Sequence, residues 1–319
     1  MQRDDRIYIA GHRGLVGSAL LRQLRAAGYR DLVTADHGDL DLTEGGAVRA
    51  FFREMRPAYV FLAAAKVGGI LANATRPAEF IAQNLAIAVN VIQEAHGAGV
   101  ERLLFLGSSC IYPRDCPQPI REEYLLTGPL EPTNRAYAVA KIAGIEMCRA
   151  YNSQYGTSYL AVMPTNLYGP GDDYDPQTSH VVPALLRKMH EAKSAGRRSV
   201  TLWGTGSPRR EFLHVDDLAN ACVFLMRLPP EQFAAIVKME PPLVNVGCGE
   251  DLTIAELATL IGEVVGSTAK ILWDPSQPDG TPRKLLDVSR LAALGWTPSI
   301  SLREGLAATN QQYLREGSW

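Results

Sequence analysis

A glycine-spaced loop near the amino terminus, read with what flanks it, constrains this chain more than any other feature. A short apolar run, Arg6–Ala10, leads straight into Gly11-His12-Arg13-Gly14-Leu15-Val16-Gly17. Beyond it, Val16, Leu20, Leu24 and Ala27 recur with helical period. Alone, the spacing is an ordinary turn. Between a strand and a helix it has a purpose: Gly11 permits the tight turn, Gly14 admits a pyrophosphate to the backbone, and Gly17 lets helix and strand pack closely. The helix amino terminus then offers unpaired N–H groups and partial positive charge to an anion. The context predicts a dinucleotide site.

The same alternation continues. Apolar runs at Leu32–Ala35, Tyr59–Ala63, Leu103–Gly107 and Tyr159–Met163 are separated by helical stretches such as Ile81, Leu85, Ala88 and Ile92. Continuous apolar strands suit parallel strands covered on both faces, so the predicted class is α/β, a doubly wound parallel sheet of Rossmann type. With 319 residues, a smaller second unit is expected. After Pro164 the rhythm loosens into a Gly/Pro/Asp-rich loop, Tyr168–Thr178, an amphipathic segment, Val181–Ala192, and a strand, Val200–Trp203. Thr253 with Glu256 three residues on is a capping-box signature. The expected division is 1–167 for the dinucleotide and 168–319 mainly for a substrate, with some elements from about 200–265 returning to the first sheet.

The identity of the dinucleotide is contested within the sequence. Arg13 can pair with a ribose 2′-phosphate through its planar fork. Asp36, at the end of the second strand and roughly 20 residues past the loop, stands where an acid usually takes a free 2′-hydroxyl.

Tyr137 and Lys141 lie four residues apart, on one face of a predicted helix. A phenol titrating near ~10 is a poor catalyst at neutral pH unless a cation steadies its phenolate. Ser108, at the carboxyl end of the fourth strand, is placed to hydrogen-bond a substrate carbonyl beside Tyr137. Cys110, two residues on, faces the same side if the chain is extended, and a thiol there is a candidate acid or base.

Gly11–Gly17, Ala63–Ile70, Ser108–Pro113, Tyr137–Lys141, Pro164–Pro170, Arg209–Asp217 and Pro278–Lys284 together resemble the extended short-chain dehydrogenases/reductases. Ser108–Pro113 and Asn166–Pro170 followed by Ser179-His180-Val181 resemble, more narrowly, the branch that epimerises and reduces GDP-linked 4-keto sugars. That resemblance covers nearly the whole chain. It implies NADP(H) held by Gly11, His12, Arg13, Gly14, Leu15, Val16, Gly17, Asp36, Ala64, Lys141, Pro164, Asn166, Leu167 and His180. It implies proton transfers at C3 and C5 by Cys110 and His180, then reduction at C4 with Ser108, Tyr137 and Lys141. For the GDP-sugar it implies Ser108, Ser109, Cys110, Asn166, Lys188, Trp203, Arg210, Asp279 and Lys284. Trp203 either stacks on the base or fills core. The implied reaction takes GDP-4-keto-6-deoxy-D-mannose to GDP-L-fucose; a 3-deoxy keto sugar of colitose type is the alternative substrate. In that branch a cationic residue commonly follows the second strand, where this chain has Ala35-Asp36-His37.

Other readings fit less well. A 4,6-dehydratase needs an Asp-Glu pair where Cys110-Ile111 stand, a UDP-hexose 4-epimerase has no use for Cys110 and His180, and a redox sensor has none for Ser108, Tyr137 and Lys141 together. With 32 basic and 34 acidic residues the chain lacks the excess positive charge of a nucleic-acid binder. It contains no apolar run long enough to span a bilayer and no signal-peptide core at its start, so a cytoplasmic protein is expected. Five scattered cysteines form no metal-type pair, and no metal site is expected. A homodimer through helices near Pro77–Gly97 and Ala136–Tyr155 is implied by the resemblance alone.

Overall fold

The computed structural model describes residues 1–175, 178–277 and 279–316; Pro278, quoted above, lies outside them. Strand β1 (Ile7–Ala10), wholly buried, turns through the glycine loop into helix α1 (Leu15–Ala26). A short edge strand β2 (Leu32–Val33) precedes α2 (Gly45–Met55), and β3 (Tyr59–Leu62) precedes α3 (Ile70–Thr75) and α4 (Pro77–Gly97). Next come β4 (Arg102–Leu106), α5 (Arg135–Tyr155), β5 (Tyr159–Pro164) and β6 (Asn166–Tyr168). The later chain supplies α6 (Val181–Ser194), β7 (Ser199–Trp203), β8 (Arg209–His214), α7 (Val215–Arg227), α8 (Pro230–Val237) and β9 (Leu243–Val246). Then follow β10 (Asp251–Thr253), α9 (Ile254–Val265), β11 (Lys270–Asp274), β12 (Arg283–Lys284), α10 (Ser289–Ala293) and α11 (Leu302–Glu316).

Six parallel strands form the main sheet in the order β2-β1-β3-β4-β5-β9. The doubly wound sheet is therefore as read from the alternation. The chain reverses direction across the sheet between β1 and β3, and ligands of open α/β sheets bind outside the carboxyl ends of strands at such a switch point. One face is covered by α1 and α7 through Leu20, Leu24, Leu218, Ala221 and Met226. The other is covered by α2, α4 and α5 through Val48, Phe52, Val91, Ile92 and Ile145.

A second sheet, β10-β8-β12 with β6 beside β8, and the pair β11-β7 stand on the carboxyl side. Their own core joins Leu186, Met189, Leu202, Phe212, Leu257, Ile261 and Leu306. The Thr253 capping box forms as read: Glu256 N–H donates to the Thr253 hydroxyl while the Glu256 carboxylate accepts from Thr253 N–H. β8 is the joint between the layers, running directly into α7 of the main sheet. His214 caps that helix, its Nδ1 accepting from Asp216 N–H at 3.3 Å. No helix among the described residues is long and apolar enough to cross a membrane.

Candidate active site

At the glycine loop, Gly11 adopts φ +83°, and a side chain there would collide with the backbone of Ala64 at the end of β3. A Cβ on Gly17 would overlap the Gly11 carbonyl. These two glycines are therefore demanded by packing. Gly14 differs: a Cβ there would meet only the Gly11 carbonyl, at 3.5 Å, so its bare, exposed backbone faces open space. Helix α1 begins at Gly14 with no side-chain cap and no acid in its first turn. Its first-turn amides and positive dipole end stay free for an anion. These residues fit a pyrophosphate.

The tension between Arg13 and Asp36 takes a definite form. The two side chains are ion-paired, and His12 Nε2 lies 3.2 Å from the same carboxylate. Asp36 is thus engaged by two side chains of the glycine loop itself, the Arg13 guanidinium and the His12 ring, with Arg13 left largely exposed.

The second cluster is built where β4 meets α5. A Cβ on Gly144 would run into the Phe105 ring, so this glycine lets α5 ride close against β4. That approach brings Lys141, almost fully buried, to the strand end, where Nζ donates to the Leu106 carbonyl at 2.7 Å. The ammonium lies 4.8 Å from the Phe105 ring centre and 5.7 Å from that of Tyr137. Tyr137 packs edge-on against Phe80 at 6.4 Å, with Ser108 acting on its phenol. Burial pushes the Tyr137 phenol up, with the Cys110 thiol adding to the rise and Ser108 pulling against it. Desolvation pulls the Lys141 ammonium down to about 8.

Cys110 reaches this cluster by a route other than the extended chain assumed above. The backbone tightens into a single 3₁₀ turn at Ser109–Ile111, with Ser108 capping it and accepting from Cys110 N–H at 3.5 Å. The turn, rather than strand alternation, sets Cys110 beside Ser108. Ser109, Cys110 and Ile111 are all buried there. Burial pushes the Cys110 thiol up, while the cations Lys284 and Lys141 and the bond to Ser108 pull it back.

Lys284 arrives from β12, registered opposite Arg210 of β8. Burial lowers both cations; Cys110 acts to raise Lys284, and Asp279 acts to raise Arg210. Asp279 is anchored by Thr205, accepting from its N–H at 2.7 Å and its hydroxyl at 2.8 Å. Gly204, φ +77°, leaves the space that the Asp279 carboxylate fills. Beside it Trp203 is 68% exposed, which removes the core-filling role for that side chain. Lys188 of α6 holds its Nζ 5.6 Å from the indole centre. From Lys188 and Trp203 through Asp279, Arg210 and Lys284 to Cys110, Ser108, Tyr137 and Lys141, the candidates form one connected path.

The remaining candidates sit on its flanks. Asn166 turns its amide onto the Glu211 carbonyl at 2.8 Å, while Pro164 and Leu167 pair within the sheets with Val246 and Leu213. His180 opens α6, its side chain half exposed and its Nδ1 3.8 Å from the buried carboxylate of Asp172. The loop bearing Asp172 approaches α1, since a Cβ on Gly171 would come within 3.3 Å of the Ser18 hydroxyl.

Two residues of the site region escaped the reading of the sequence. Asp172 is one. Glu211 is the other: wholly buried, it accepts from Gly249 N–H at 2.7 Å and Leu286 N–H at 3.0 Å. An acid directly ahead of the apolar pair Phe212-Leu213 was the available signal.

A switch-point glycine loop with an uncapped helix behind it, and a Ser–Tyr–Lys cluster two strands along with its lysine buried, define a dinucleotide-binding enzyme of the Rossmann class. Comparison with known proteins narrows this. The model of the NAD dependent epimerase/dehydratase family matches residues 7–238, and the chain belongs to that family. It is 56% identical over 314 residues to the putative GDP-L-fucose synthase 2 of Arabidopsis thaliana, covering 98% of this chain and 93% of that one. To the GDP-L-fucose synthase of Escherichia coli it is 54% identical, with 97% of each chain covered. A GDP-L-colitose synthase of Yersinia pseudotuberculosis is more distant, 35% identical over 98% of each chain. Among solved structures, a GDP-L-fucose synthetase from Naegleria fowleri bound to NADP superposes with a TM-score of 0.87 at 26% identity, covering 99% of this chain and 96% of that one.

Proposed function

We propose that the chain is an NADP-dependent epimerase/reductase that converts GDP-4-keto-6-deoxy-D-mannose to GDP-L-fucose. The observation that carries this reading is the Cys110 thiol, buried against Ser108 and under the influence of Lys284 and Lys141. A plain carbonyl reductase needs no thiol among its Ser, Tyr and Lys. An enzyme that must also invert carbon centres has a use for such an acid or base. The identity to GDP-L-fucose synthases exceeds that to the colitose enzyme, which favours the fucose substrate.

In the keto sugar the hydrogens on C3 and C5 are both α to the C4 carbonyl and are acidic for that reason. Cys110 removes the proton from carbon, Lys284 and Lys141 drawing its thiol back toward thiolate against the rise that burial imposes. Ser108 and Tyr137 hold the enolate oxygen as an oxyanion-hole-type site. His180 returns a proton from the opposite face; its Asp172 contact raises its affinity for that proton. Gly11–Gly17 would hold the pyrophosphate of NADP(H), Arg13 and His12 would serve its ribose, and Ala64, Pro164, Asn166 and Leu167 would complete its site. When bound, the reduced cofactor supplies the hydride that reduces C4. Tyr137 gives its proton to the C4 oxygen, and Lys141 supplies the positive charge that favours the resulting phenolate. Arg210 and Lys284 bind the diphosphate of GDP with charge-assisted bonds, Trp203 and Lys188 take the base, and Asp279, Ser109 and Asn166 complete the substrate contacts. Residues 1–167 chiefly serve the cofactor and 168–319 the substrate. A homodimer through α4 and α5 accompanies this reading, supported by the exposed Val89, Val139 and Tyr155 on those helices, and a cytoplasmic location goes with it.

The test is NADPH oxidation with GDP-4-keto-6-deoxy-D-mannose, the product sugar identified by NMR. GDP-L-fucose is expected, and Tyr137→Phe loses roughly 10²–10⁴ in turnover with NADPH binding unchanged. Absence of NADPH oxidation, or normal turnover in Tyr137→Phe, overturns the reading. Oxidation confined to a 3-deoxy keto sugar replaces the substrate and leaves the enzyme class standing.

A further inference from the structure

Asp172 has no part in the reaction as set out above beyond its proximity to His180, yet its placement is costly. Its side chain is 3% exposed, and Oδ2 is buried with no hydrogen-bond partner. A carboxylate left in that condition is destabilising unless something else uses it. The loop around it is shaped to keep it there: Gly169 and Gly171 both have positive φ, at 138° and 88°, and Asp172 N–H donates to the Gly169 carbonyl at 3.2 Å. Oδ1 accepts from Asp173 N–H at 2.9 Å and faces His180 Nδ1 at 3.8 Å. The titratable groups acting on the His180 ring are Asp172 and, more weakly, Asp173, which Thr178 engages through its hydroxyl.

We propose that Asp172 is the positioning carboxylate of His180, selecting which ring nitrogen exchanges a proton with the substrate. This rests on the role given to His180 above. An imidazole whose Nδ1–H points at a fixed carboxylate presents Nε2 to the opposite side. In the protonation step the Nε2–H bond breaks and the enolate electron pair takes that proton to form the C–H bond. The ring is left neutral with its proton on Nδ1, facing Asp172. Asp172 exchanges no proton in this step and never touches the sugar. Because it favours the imidazolium, the acid form of His180 persists to higher pH than it would alone. A ring half exposed to water needs such a partner to hold one tautomer.

The experiment is ¹⁵N-detected NMR of the full-length protein's histidines, the His180 signals being assigned by their loss in His180→Asn. In the unmutated protein, neutral His180 is expected as the Nδ1–H tautomer; a predominantly Nε2–H form overturns the proposal without any variant. Asp172→Asn is expected to move the His180 titration to lower pH and to mix the tautomers, and Asp173→Asn to move it less. Solvent-deuterium incorporation at C3 and C5 should fall roughly 10-fold in Asp172→Asn, a part of the general-acid contribution, with its alkaline limb displaced toward acid. An unchanged titration in folded Asp172→Asn overturns the proposal. If His180→Asn exchanges deuterium normally while Asp172→Asn still shifts the titration, the role of His180 in catalysis fails and the coupling to Asp172 stands.

Discussion

Lys141 carries a conflict that can be measured directly. Its amine is buried and desolvated, with an affinity for protons lowered to about 8, whereas in an unfolded chain it titrates near ~10.4. Between those values the unfolded chain holds a proton that the folded chain has released, so this residue's contribution to stability grows as pH rises from 8 to 10. Below that window the cost of burying the ammonium is fully present. Lys141→Met lacks the effect, so the difference in melting temperature between Lys141→Met and the parent should shift in favour of the parent as pH rises from 7.5 to 10. A constant difference across that range would mean that Lys141 is not desolvated. Asp36 poses a second question at this scale, because its carboxylate occupies the Arg13 guanidinium. Asp36→Asn frees Arg13 for a 2′-phosphate. The ratio of kcat/KM for NADPH over NADH is expected to rise about 10-fold, the scale of one charge-assisted contact. An unchanged ratio would show that Arg13 does not reach the ribose phosphate.

Among the elements, α5 is positioned by what it lacks. Gly144 lets the helix approach Phe105, and Lys141 lies one turn before it. Gly144→Ala forces ring or helix to move, at about 1–3 kcal/mol. It should lower kcat while leaving the dissociation constant for NADPH within a few-fold. Gly262, inside α9 with nothing within 4 Å of an added Cβ, is the matched control, and Gly262→Ala should leave activity intact and stabilise by about 0.5–1 kcal/mol. Melting curves and steady-state rates on both variants decide it. The same elements show what could be read in advance. The strand–glycine–helix opening, the continuous apolar runs of parallel strands and the Thr253 cap were legible because each is written in residues within a turn or two of one another. The seat of Cys110 was not, since two-residue alternation holds only while the strand continues and the chain coils after Ser108. Nor was the setting of Trp203: whether an aromatic residue ending a strand faces core or water depends on α6 and on the segment near Asp279, far off in sequence.

At the scale of the whole molecule, Glu211 fastens the second sheet to the main sheet. Its carboxylate takes amides from the segments after β9 and β12, and its carbonyl accepts from Thr165 and Asn166 after β5. Glu211→Ala leaves the buried Leu286 N–H without its acceptor at about 1–3 kcal/mol and releases the part-buried Gly249 N–H as well. Calorimetry should show binding of GDP weakened more than binding of NADPH, because Lys284 and Arg210 depend on the strands that Glu211 ties together. Equal losses for both ligands would mean that Glu211 only supports the global fold. Such long-range ties are invisible to a reading by periodicity, which identified the members of the substrate path only through the family resemblance.

The order of strands in the main sheet also has a consequence for how the chain is made. β9 seals the edge of β5, yet it is synthesised about 80 residues later, after the substrate-side strands β6 to β8. At ribosomal speeds of about 5–20 residues per second, the wholly apolar strand Tyr159–Pro164 spends several seconds with open hydrogen-bonding groups along one side. During that interval the nascent chain is most exposed to pairing with a neighbour, and a ribosome paused between β5 and β9 prolongs the hazard.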